Sequence, residues 1–180
     1  MLLKIIEDVN IALDAESYFS ALSLVLTIPD ICGKAEYPKK RTTRRYIDWF
    51  NEYIAKYEQC PCEHCKKVQM PYLSGEVINS LRNSFLHQGT PNIDNHRVKD
   101  NKIDVFEIVI ESKKEIEIYS DTSSIINGNI RTYRVNLRRL CQIICSTAKG
   151  YYKENSDKFN FFNYSIIDWD VEVKKLRNNQ

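Results

Sequence analysis

Near the end of the stretch Ser74 to Gly89, SGEVINSLRNSFLHQG, stand an arginine, an asparagine and a histidine at positions 82, 83 and 87. RNA cleavage without metal needs a base for the 2′-hydroxyl proton, an acid for the leaving 5′-oxygen and fixed positive charge against the phosphorane oxygens. Histidine and arginine suit these tasks. His87 would lie in the last turn of a helix, where the dipole favours the imidazolium. Arg82 offers a planar fork that stays charged and matches phosphate oxygens. Asn83 and His87, four apart, share a helical face, so the amide can orient the ring or touch a substrate. Arg82 and His87 do not share a face: five residues advance a helix by about 7.5 Å and turn it by roughly 140°. One copy of the helix is therefore a poor clamp for a single phosphate, and two copies across a twofold axis are a better one. The alternative is plain: an Arg and a His near a helix end also serve as surface residues or C-terminal caps.

The pattern Arg82-Asn83-x-x-x-His87, followed by Gly89, resembles the R-[polar]-x-x-x-H motif of the HEPN superfamily. That resemblance implies a small helical domain, a composite site at a homodimer interface and, in many members, a metal-independent ribonuclease, often a toxin or phage-defence factor. It also admits a non-catalytic module binding RNA, a nucleotide or a protein partner. The segments from Ala21 to Lys34 and from Leu73 to Gly89 are similar as well to uncharacterised bacterial proteins, over roughly the first half of the chain, which adds no activity.

Two further constellations carry possible chemistry. Cys60, Cys62, His64 and Cys65 in QCPCEHCKK are ligand types that tetrahedral zinc accepts, with a redox role of Cys62-x-x-Cys65 as another option. Structural zinc sites usually join two separated pairs, and Cys32 could reach this one only through tertiary folding. The expectation is a reduced, proline-containing loop without metal or other cofactor. Lys39, Lys40, Arg41, Arg44 and Arg45 form a basic run at a helix start, where Thr42 or Thr43 can cap. It reads as a solvated entry loop or as a contact to an RNA backbone, with no DNA specificity.

The elements that must position these residues follow from periodicity. Leu2, Leu3, Ile5, Ile6, Val9 and Leu13 predict a first amphipathic helix, and residues 15 to 28 a buried one that Pro29 ends. PDICGKAEYPKK reads as a loop. Tyr46, Trp49, Phe50, Tyr53, Ile54 and Tyr57 predict a third helix with an aromatic stripe, as core or dimer interface. Ser74 caps the motif helix, which carries Val77, Ile78, Leu81 and Phe85, and Gly89 supplies its left-handed stop. TPNIDNHRVKDNK is a polar loop that exposes His96. Ile103 to Glu111, Glu115 to Ser120 and Arg131 to Val135 alternate as strands, with an Asn127-Gly128 turn. Asn136 then caps a last helix whose stripe holds Leu137, Leu140, Cys141, Ile144, Ala148 and Tyr151, while Arg138, Arg139 and Lys149 face elsewhere. The tail from Phe159 to Trp169 is aromatic without period.

The chain of 180 residues, 43% hydrophobic and 28% charged with a formal net charge of +2, suits one ordinary globular domain and demands no nucleic-acid partner. Lys4, Glu7 and Asp8 interrupt the apolar start, and no run reaches membrane-spanning length, so a cytoplasmic chain with free thiols is expected. The expected fold is α+β: an antiparallel helical bundle of residues 1–89 and 136–154, a small antiparallel β-meander inserted at about 103–135, and a C-terminal tail of 155–180.

Overall fold

The computed structural model describes residues 1–99, 102–111, 122–161 and 169–178. Helix α1, Leu2–Asp14, buries Leu2, Ile6, Val9 and Leu13, which is the stripe expected of an i, i+4, i+7 pattern. Glu16 then takes a φ of 56°, which reverses the chain before α2, Tyr18–Val25. Pro29 does not end a helix but opens one. It lies in the first turn of α3, Ile28–Glu36, where its missing N–H has no helical acceptor to lose. The segment expected as a loop is thus helical through Glu36. Gly33 explains its placement, since a Cβ there would stand 2.5 Å from the Arg45 carbonyl oxygen of the neighbouring helix.

Helix α4, Thr42–Phe50, starts from an extended Arg41 with no side-chain cap, so neither threonine takes the capping position. It widens into a π-helical segment, Asn51–Ala55, and ends in α5, Lys56–Glu58. Its aromatic stripe is core: Tyr46, Trp49 and Phe50 are fully buried, and Tyr57 alone of the stripe is well exposed. Trp49 stacks on Tyr53 and meets the edge of Tyr151. After α6, Glu63–Val68, the motif helix α7 runs Gly75–Gln88, with Ser74 Oγ accepting from the Val77 N–H and Gly89 at φ 69° closing the end. The start of α7 sits directly on α4, where the Gly75 N–H donates to Asn51 Oδ1 at 2.7 Å.

The sheet corrects the expected meander. Strands β1, Val105–Val109, β2, Thr122–Asn127, and β3, Ile130–Asn136, lie in the order β1-β3-β2. β2, in a stretch not predicted as a strand, and β3 form an antiparallel hairpin around the expected Asn127-Gly128 turn, with Gly128 at φ 60°. β1 pairs parallel to β3, from Val105 opposite Thr132 to Val109 opposite Asn136, so the sheet is mixed. Alternation marks a strand and a two-residue turn sets one hairpin, but neither determines the direction of a strand brought in from further away. The Glu115 to Ser120 run lies outside the described residues.

Asn136 ends β3 and caps α8, Leu137–Glu154, through the Arg139 N–H. Arg138 does not face solvent. It is buried and donates to the Leu13 carbonyl at 3.1 Å, tying α8 to the end of α1. Arg139 forks onto both carboxylate oxygens of Glu58 at 3.0 and 2.9 Å. Tyr151 and Lys158 both donate to Glu36, which holds that carboxyl below its usual range, the Lys158 bond first. Phe159 packs on Tyr151 and Tyr152 of α8. Helix α9, Trp169–Asn178, follows. Among the described residues no helix is long and apolar enough to cross a membrane. The architecture is α+β.

Candidate functional site

The chain beyond α7 folds back along it. The N–H groups of Gly89 and Thr90 return to the Phe85 and Ser84 carbonyls. Ser80 Oγ then accepts from the Asp94 N–H at 2.7 Å and donates to the Asp94 carbonyl, while Glu76 accepts from the Lys99 N–H. Ile93 and Val98 are buried as anchors on either side of a short 3₁₀ turn, Asn95–Arg97. The segment read as a polar loop is therefore pinned against the motif helix.

Between the two lies a groove of about 510 Å³, within the roughly 300–1,000 Å³ common for ligand sites. Asn83 and His87 line it from α7; Thr90, Asn92, Asp94 and Arg97 line it from the returning chain. Arg97 Nε pairs with Asp94 Oδ2 at 3.0 Å, and Asp94 Oδ1 caps the 3₁₀ turn through the His96 N–H. His87 is exposed and Asn83 half-buried.

Arg82 does not line the groove. Its guanidinium lies over the ring of buried Tyr46, 5.6 Å from the centroid, as its position about 140° around the helix requires. Nη1 donates to Asn83 Oδ1 at 3.2 Å, and Nε is buried with no hydrogen-bond partner among the described residues. With Oδ1 occupied, the Asn83 amide has its NH₂ left to donate. Arg82 thus touches the groove only through Asn83, and the arginine that lines the groove is Arg97, which no sequence motif marks. Its signal was the pair Ile93 and Val98, isolated apolar residues bracketing a polar stretch.

The basic run is partly neutralised. Asp48 takes Lys40 at 2.7 Å and Arg44 at 2.9 Å, and Asp30 takes Arg45 at 2.9 Å. Lys39 and Arg41 are exposed with no ion pair among the described residues. Helix α7 meets α4 with Gly75 beside Ile47 and the Arg82 guanidinium over Tyr46.

Cys60, Pro61 and Cys62 form a loop, as expected, and a short helix that starts at Glu63 takes in His64 and Cys65. Cys62 caps α6, its Sγ accepting from the Cys65 N–H at 3.2 Å, and the Cys60 and Cys62 sulfurs are 3.4 Å apart. Hydrogen bonds from the Cys65 thiol, the Cys65 N–H and the Cys60 thiol bring Cys62 down to about 7, and the same contact raises Cys65. His64 is exposed and stands outside the cysteine group. Cys32, Cys141 and Cys145 are buried, and burial pushes all three thiols up, which makes them inert core groups.

No family model, curated protein or solved structure is significantly similar to this chain.

Proposed function

We propose that this protein is a HEPN-like, metal-independent endoribonuclease that seats a phosphodiester of single-stranded or loop RNA in the groove beside α7. The observation that supports this reading is the convergence of the Asn83 amide, His87 and Arg97 on one groove, three groups able to donate to phosphate oxygens. In this mechanism the 2′-oxygen attacks phosphorus as its proton leaves, the bond to the 5′-oxygen breaks, and that oxygen takes up a proton. The products are a 2′,3′-cyclic phosphate and a 5′-hydroxyl. His87 carries one of the two proton transfers, Arg97 stabilises the developing charge, and Arg82 is a positioning residue for Asn83.

A homodimer with the helical bundle of the HEPN resemblance would bring a second His87 for the other transfer. The core position of Tyr46, Trp49 and Phe50 removes the aromatic stripe as its interface. The exposed apolar surface nearest the motif is Phe19, which packs on Phe85 with ring centroids 5.9 Å apart, together with Leu86. Phe19→Asp with Leu86→Asp is expected to give a monomer by light scattering and to abolish cleavage while leaving far-ultraviolet circular dichroism unchanged.

The inward course of Arg82 favours a second reading, a non-catalytic HEPN-like module binding RNA, a nucleotide or a protein partner. Long linear RNA incubated with the full-length protein in EDTA separates the two. Cleavage to cyclic-phosphate ends supports the enzyme, binding without cleavage selects the module, and neither binding nor cleavage refutes an RNA role.

Salt dependence tests which cations meet phosphate. Each lost contact to a single strand should reduce the slope of log affinity against log salt by about 0.7. Lys39→Gln and Arg41→Gln, exposed and without an ion pair among the described residues, are each expected to do so. Lys40→Gln and Arg44→Gln, whose charges Asp48 already holds, are expected to leave the slope unchanged.

A further inference from the structure

We propose that Cys60, Cys62 and Cys65 form a three-thiolate zinc site whose fourth coordination position opens onto the adjoining lysine-lined cleft. Their three Sγ atoms all lie within 4.8 Å of one another. Zinc–sulfur bonds of about 2.3 Å in a tetrahedron set the sulfurs about 3.8 Å apart, so small side-chain adjustments close the triangle around an ion. The spacing of Cys60, Cys62 and Cys65 alone does not require the chain to bend so that all three sulfurs lie on one side. The chain does so through an extended Cys62, with backbone ψ 145°, followed immediately by the turn of α6 that returns Cys65.

The site is held from below. Gln69, at φ 52°, ends α6, and the Met70 N–H returns to the Cys65 carbonyl. Arg131 of β3 donates through Nη1 to the Val68 carbonyl at 3.1 Å and also to that of Gln69, fastening the far end of the helix to the sheet. A ligand set preorganised in this way loses less conformational freedom on binding an ion. Beside it lies a cleft of about 420 Å³, lined by Cys60, Cys65, Met70, Lys66, Lys99 and Lys102. Three thiolates and one Zn²⁺ leave a net charge of −1, which the Lys99 ammonium in the cleft offsets, while Lys66 and Lys102 are held by Glu63 at 3.0 Å and Asp104 at 3.5 Å. A site with three protein ligands and an open fourth position is built to take water or an exchangeable ligand, rather than being a closed structural centre. The composition of the cysteines agrees with this division: three are buried in the core and three are grouped at the surface.

The test is an anaerobic titration of reduced, chelator-stripped, full-length protein with Co²⁺. Thiolate-to-cobalt charge transfer in the near ultraviolet and strong tetrahedral d–d absorption are expected to saturate at one ion per chain and to be bleached by Zn²⁺. Cys62→Ser and Cys65→Ser, which alter surface groups, should each weaken zinc binding at least about tenfold with unchanged circular dichroism. Failure of the reduced wild-type protein to develop the charge-transfer band would overturn the proposal. So would a band that persists unchanged when all three cysteines are serine.

Discussion

Replacing His87 with alanine is expected to lower RNA cleavage by about 10²- to 10⁴-fold, the usual contribution of a general acid or base. The fold should be untouched, because the side chain is exposed and supports no core packing. Arg97→Ala should also slow cleavage, by removing charge opposite the phosphate. Arg82→Ala is expected to act differently, since Arg82 lies under the groove, over Tyr46, and reaches it only through Asn83 Oδ1. Its loss frees the amide to turn, and activity should return in part with Arg82→Lys, which can still donate to Oδ1. The measurement is the rate of cyclic-phosphate production under single-turnover conditions in EDTA, with circular dichroism as the control. A His87→Ala protein that cleaves at the wild-type rate would exclude His87 from the chemistry.

A large stability effect is expected at Gly75. A Cβ there would fall 2.5 Å from the Ile47 carbonyl oxygen and 2.9 Å from Asn51 Oδ1, contacts that no side-chain rotation relieves at the backbone oxygen. Gly75→Ala must push the start of α7 off α4 and break the Gly75 to Asn51 hydrogen bond, at a cost of about 1–3 kcal/mol from overpacking and about 1 kcal/mol from the bond. Gly150, in α8, is the matched control, since a Cβ there meets nothing within 4 Å. Gly150→Ala should stabilise by roughly 0.5–1 kcal/mol through helix propensity alone. Urea denaturation of the two variants beside wild type reads both signs. Equal stability of Gly75→Ala and wild type would mean that α7 does not approach α4 as described.

What the sequence determined by itself is local. Ser74 and Gly89 bound the motif helix because a capping hydroxyl and a left-handed stop are short-range requirements. Asn136 opens α8 for the same reason, and Leu2, Ile6, Val9 and Leu13 declare a buried face through helical period alone. Even the divergence of Arg82 from His87 was legible, since it follows from five residues of helix geometry. Pro29 misled because the same fixed φ that stops one helix also starts the next, and only neighbouring structure distinguishes the two roles. Tertiary structure alone decided the direction of β1, the burial of Arg138 against the end of α1, and the arginine that completes the groove. Arg97 enters because Ser80 and Glu76 hold the returning chain, through contacts spanning 14 and 23 residues. Such contacts leave no periodic trace: they form only once the chain between them has been closed by burial of residues like Ile93 and Val98, whose apolar character names the core but not the partner.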